Sequence, residues 1–201
     1  MMSIILPVCF FVGSGLFVAL LPLSITGSLF LSMIFGVVCY FIFLVENVFL
    51  VAIGYKTVPL YRAAYTVSLI ILLLCSFLLF NSVFSFRFNY GINMLLVFLV
   101  SILVYLYQFW AIAIELPDDG KNKSLFYILV PALILGQMSM AFSFWPLGIF
   151  RKSVFLVCFI YVLAILIQAD IKDRLFKRTW KTMLWVFVAL ILGMVSVTRW
   201  G

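Results

Sequence analysis

The sequence predicts an all-α polytopic transmembrane helical bundle of about seven spans, with its N-terminus in the cytoplasm. Three observations predict it. Hydrophobic residues make up 68% of the 201-residue chain and charged residues only 9%, whereas soluble domains carry roughly 45–50% and about 25%. The apolar residues fall into seven runs close to the 17–25 residues, roughly, that a helix needs to cross a bilayer. The Lys and Arg residues are confined to the connections between those runs and are unequally shared between the two sides. Residues 1–201 read as one transmembrane domain, with no internal repeat.

The spans are expected near Ile4–Leu21, Leu29–Ile53, Pro59–Phe80, Ile92–Ile114, Phe126–Phe144, Val154–Gln168 and Met183–Val197. Helical backbone is required because hydrocarbon offers no partner for an unpaired amide. The start of the chain has neither a basic n-region nor a small-residue cleavage site, so the first run is expected to be a retained span. Leu21-Pro22 and Gly27-Ser28 bracket an uncharged hairpin. Gly54-Tyr55-Lys56 ends the second run, and Thr57 with Pro59 starts the third. Asn81 to Gly91 forms an aromatic connection around Arg87. Pro117 to Lys123 is the one strongly hydrophilic turn, and Trp145-Pro146-Leu147-Gly148 breaks the chain before Arg151-Lys152.

Orientation follows from the positive-inside rule. With seven spans, Lys56, Arg62, Lys121, Lys123, Lys172, Arg174, Lys177, Arg178 and Lys181 share a side with the N-terminus, against Arg87, Arg151, Lys152 and Arg199 on the other. The richer side is expected in the cytoplasm. The formal charge of +7 is explained by this distribution, and nucleic-acid binding is not expected.

Glu46 and Asn47 interrupt the second run about eight residues before Gly54, and Arg62 follows it by a similar distance. Equal distances from a turn mean equal depth, about 12 Å at 1.5 Å per residue. Glu46 and Arg62 are therefore expected to face each other across the second and third helices, with Asn47, Tyr61 and Tyr65 supplying hydrogen bonds. A charge at that depth costs about 2.5–3.5 kcal/mol on insertion scales. The arrangement reads either as a pair that fixes register or as an intramembrane polar site for a proton, an ion or a headgroup.

Ala169–Lys181 is the second candidate. Ile171, Leu175, Phe176 and Trp180 can share a face, with Lys172, Arg174, Lys177, Arg178 and Lys181 around it. That pattern suits either a positive-inside loop or a helix lying against anionic headgroups on the cytoplasmic side. On the other side, Arg87 among phenylalanines and Ser143-Phe-Trp-Pro146 suit helix anchoring or headgroup contact. Ser28, Ser32 and Gly36, Ala132 and Gly136, and Ala189 and Gly193 recur at four-residue spacing, which permits close helix approach. Their partners are expected within this chain or in another membrane protein, a second copy included.

The chain contains no histidine, which excludes Ser-His hydrolases and histidine-held metal or haem. Gly13-Ser14-Gly15 resembles a serine-hydrolase fragment but has no base. Cys9, Cys39, Cys75 and Cys158 each stand alone in an apolar run and read as packing residues. Asp118-Asp119 and Asp170-x-x-Asp173 read as solvated turns, and Asn122-Lys123-Ser124 as a chance match to the glycosylation pattern. No cofactor is expected and no catalytic residue is identified. A non-enzymatic structural or accessory component of a membrane system is expected. The alternative is a small transporter, channel or lipid-handling protein with a polar site at Glu46/Arg62.

Leu44-Val-Glu46-Asn47-Val-Phe49 followed by Thr57-Val-Pro59-Leu-Tyr-Arg62-Ala-Ala64 resembles a family of uncharacterised membrane proteins from small-genome candidate-phylum bacteria. Phe84-Ser-Phe-Arg87, Ser143-Phe-Trp-Pro146 and Arg174-Leu-Phe-Lys-Arg178 are similar to the same family. The resemblance covers nearly the whole chain. It implies a bacterial cytoplasmic membrane location and a domain of unknown function, and it supplies no site residue.

Overall fold

The computed structural model describes residues 2–22, 24–55, 60–114, 124–172 and 177–198. A 3-10 turn at Met2–Ile4 leads into α1 (Ile5–Leu20). There follow α2 (Ile25–Tyr55), α3 (Tyr61–Ser85), α4 (Tyr90–Ala113), α5 (Ser124–Phe144), α6 (Ile149–Ile171) and α7 (Lys177–Val197). Among the described residues there is no strand. All seven helices are long and apolar enough to cross a membrane.

The predicted spans hold, and several of their ends move. α2 begins four residues early because Ser24 supplies a cap: its hydroxyl accepts the Gly27 amide at 3.3 Å, and its carbonyl accepts the Ser28 amide at 2.9 Å. At 31 residues α2 is about 46 Å long, more than the roughly 30 Å hydrocarbon core requires, so it must tilt or project. α6 starts at Ile149 rather than Val154, placing Arg151 and Lys152 in its first turn, where long basic side chains can lie along apolar surface with their charge directed outward. α7 likewise starts before Met183, and α1, at 16 residues, is the shortest of the seven.

The spans alternate in direction. α3, α5 and α7 begin at one end of the bundle, called here the near end, where α2, α4 and α6 finish. α4 and α6 begin at the far end. Contacts across the chain fix this arrangement. Tyr61 at the start of α3 donates its hydroxyl to the Ala111 carbonyl near the end of α4. Tyr127 early in α5 donates to Asp170 late in α6 at 2.8 Å.

α3 is the hub, packing against α1, α2, α4 and α6. Of its apolar span 61% is buried, against 11% for α2 and 6% for α7. Its interior serines do not demand distant partners. Ser68, Ser76 and Ser82 donate to the carbonyls of Tyr65, Leu72 and Leu78 at 2.8 Å each, which satisfies a hydroxyl inside an apolar core.

Two glycines set close approaches. A Cβ on Gly13 would lie 3.3 Å from Leu78 and Leu79 of α3, and one on Gly136 would lie 3.3 Å from Phe98 Cβ and 3.4 Å from the Met94 carbonyl of α4. The small-residue reading of α5 therefore describes a real contact with α4. At Gly36 of α2 and Gly193 of α7 no described residue lies within 4 Å of that position.

Candidate functional site

Glu46 lies three turns inside the near end of α2 and is 5% exposed. It does not pair with Arg62. Its Oε1 accepts the Tyr107 hydroxyl of α4 at 2.8 Å, while Arg62 is exposed on α3. The expected pairing fails in depth as well as in azimuth: α3 begins at Tyr61, so Arg62 lies in its first turn, whereas Glu46 is nine residues inside the end of α2. Tyr61 faces the interior, so its neighbour, rotated by 100° on a 3.6-residue helix, is turned outward. Asn47, one residue along α2 from Glu46, is also exposed.

Around Glu46 the near end is aromatic. Phe49 packs edge-on against Trp110, with ring centroids 5.8 Å apart, and is tilted against Tyr61 at 5.7 Å. Tyr107 meets Trp110 at 5.7 Å, and Tyr61 stacks on Tyr65 at 6.4 Å. Several polar atoms in this region are buried without a hydrogen bond: Glu46 Oε2, the Tyr65 hydroxyl, and both amide atoms of Gln108. Tyr65 and Gln108 approach each other without closing a bond. Unsatisfied buried polar groups are uncommon and each costs about 1–3 kcal/mol. Such a cluster can hold water, a proton or a small polar group.

Lys172, the first residue beyond α6, is half-buried, with its Nζ 5.8 Å from the centre of the Tyr65 ring. It thus joins the edge of this cluster. Of the rest of the basic segment, Lys177, Arg178 and Lys181 belong to α7, and Lys181 is exposed on it. Arg174 and the side chains of Lys177 and Arg178 lie outside the described residues, as do Asp118, Asp119 and Asn122.

Two cavities lie between helices at the ends of the bundle. One, of about 480 Å³ near Asp170, Tyr127 and Trp180, separates α5, α6 and α7 and is otherwise apolar. The other, of about 540 Å³ at the far end, gathers Arg87, Asn93, Ser143 and Lys152 among aromatic side chains. Sequence reasoning singled out Arg87 and Ser143 but neither Asn93 nor Lys152, because their proximity arises only where α3, α4, α5 and α6 meet.

A bundle of seven helices, each long and apolar enough to cross a membrane, defines a multi-pass membrane protein. The chain belongs to the family described as "Protein of unknown function (DUF5656)", which matches residues 1–198. No curated protein and no solved structure matches it.

Proposed function

We propose that the protein is a non-enzymatic accessory component of a bacterial cytoplasmic membrane system that receives a transmembrane helix of another membrane protein along the outward face of α2. The observation that carries this reading is Asn47. Its side chain is exposed and makes no hydrogen bond with the described residues, in the middle of an apolar helix. An amide facing hydrocarbon is costly, and Asn in this setting bonds across helix interfaces, worth about 0.6–2 kcal/mol. At 100° per residue Asn47 shares a stripe with Ser32, Gly36, Tyr40 and Phe43, all exposed, and Gly36 leaves open space where a second helix backbone could approach.

A photoreactive residue in place of Tyr40, activated in native membranes, tests the reading. A discrete protein adduct that disappears in Asn47→Leu is expected. Adducts with lipid alone, unchanged by Asn47→Leu, would overturn it.

The unpartnered atoms around Glu46 favour a second reading, a small proton- or cation-coupled transporter. In liposomes containing a trapped pH dye, an imposed potential would then drive a proton flux that Glu46→Gln abolishes. Equal flux through wild type and variant removes this reading.

A further inference from the structure

We infer that the far-end cavity is a binding site for an anionic phospholipid whose phosphodiester headgroup carries a free hydroxyl. Of the six acidic side chains, Glu46 and Asp170 lie toward the near ends of α2 and α6, and Glu115, Asp118, Asp119 and Asp173 fall in sequence between α4 and α5 or between α6 and α7. The cavity holds Arg87 and Lys152, and among the described residues neither forms an ion pair. Two cations sharing one concavity without a counter-charge attract an anion, and they do so more strongly where water is partly excluded.

The backbone adds to the attraction. α4 and α6 both start at this cavity, whose wall includes Tyr90, Gly148 and Ile149. Neither Asn89 nor Gly148 caps its helix with a side chain. Intrahelical bonding begins only at the Asn93 and Lys152 amides, so the preceding amides are free to donate and the helix dipoles favour negative charge there.

Asn93 specifies more than an anion. It is 6% exposed. Its Nδ2 donates to the Phe88 carbonyl at 3.1 Å, which fixes the amide orientation, and its Oδ1 is buried with no partner. An unpaired acceptor repels phosphate oxygen and requires a donor, which a headgroup hydroxyl supplies. Ser143 donates its own proton to the Ser139 carbonyl at 3.0 Å, leaving its oxygen as a second acceptor.

The surroundings suit a lipid rather than a free solute. The rim is made of exposed aromatics, with Tyr90 and Phe144 in ring contact at 5.4 Å and Phe88 beside them, the residue types that sit at headgroup level. Arg87 itself is held at φ 52°, the one positive-φ non-glycine position among the described residues. That left-handed conformation after a helix end normally selects glycine, and an arginine there sacrifices local stability to place its guanidinium at the cavity.

That conformation also provides a test uncoupled from misfolding. Arg87→Gly removes the charge while relieving the backbone, so the variant should fold at least as well as wild type. Native mass spectrometry of protein released from nanodiscs would measure lipid retention. Wild type is expected to retain phosphatidylglycerol about tenfold or more over phosphatidylcholine, and also over phosphatidylmethanol, which has the same charge and no hydroxyl. Arg87→Gly and Lys152→Gln should each lose that preference. Arg151→Gln should keep it, because Arg151 is exposed and bonds the Val197 carbonyl at 3.2 Å outside the cavity. Equal retention of phosphatidylglycerol and phosphatidylmethanol, or undiminished preference in Arg87→Gly, would overturn the proposal. So would inorganic phosphate displacing the retained lipid at millimolar levels, since the site would then be one for a soluble anion.

Discussion

The Tyr107 hydroxyl reaches Glu46 Oε1 at 2.8 Å, joining α4 to α2. α2 otherwise leans on α1 and α3, so this bond and the Phe49–Trp110 ring contact at 5.8 Å are what tie it to the fourth span. The bond joins two buried groups, and removing one partner strands the other.

Tyr107→Phe should therefore destabilise the bundle by about 1–3 kcal/mol, measured as a shift in denaturant unfolding in detergent micelles. Glu46→Leu combined with Tyr107→Phe should cost less than Tyr107→Phe alone, because no polar atom is then left stranded. Arg62→Gln should change stability by no more than about 0.5 kcal/mol, as expected of a substitution at an exposed position. An Arg62 effect as large as that of Tyr107 would restore the pairing expected from sequence.

The two close helix approaches should respond sharply to added volume. Gly136→Val meets both the Phe98 side chain and the Met94 carbonyl, and backbone cannot yield as a side-chain tip does. A loss of about 1–3 kcal/mol is expected. Gly15→Val, at a position with nothing within 4 Å, should be neutral within about 0.5 kcal/mol. Thermal midpoints in the same detergent compare the two.

Two hydrogen bonds hold the far end of α7. The Trp145 indole donates to Thr198 Oγ1 at 2.7 Å, and Arg151 donates to the Val197 carbonyl at 3.2 Å. Thr198→Val should leave the other spans intact while raising amide hydrogen exchange in α7, since elements with few buried contacts open locally before the whole unfolds. Exchange that rises equally in α3 and α7 would show that the clasp supports the entire bundle.

Orientation can be checked with reporter fusions. A phosphatase joined after Asn122 should be inactive and one joined after Phe88 active, if the near end faces the cytoplasm as the Lys/Arg distribution predicts. The reverse pattern would invert the bundle and move the far-end cavity to the inner leaflet.

Sequence reasoning recovered the spans because composition at this extreme leaves a helix in hydrocarbon as the stable solution. It lost the ends where polar residues cap a helix or belong to its first turn, as Ser24 does at α2 and Lys152 at α6. Burial along α1 was legible in principle: Leu6, Cys9, Phe10, Gly13 and Ser14 repeat at helical spacing, and Gly13 marks the contact with α3. Glu46 was conspicuous, but its partner was not. Tyr107 lies 61 residues away at a depth shared with many side chains, and nothing local chooses it. Likewise Asn93, Ser143 and Lys152 come from three helices and Arg87 from the connection between α3 and α4, so their convergence is a property of packing alone.

The central place of α3 has a consequence for how the chain is made. The third span leaves the ribosome with α1 and α2 already available, yet α6, which covers much of its remaining surface, is synthesised more than sixty residues later. During that interval its tyrosines and serines face lipid or the insertion machinery instead of a neighbour. Biogenesis is thereby committed late, and truncation before Ile149 should leave an inserted but unfinished intermediate that membrane proteases remove.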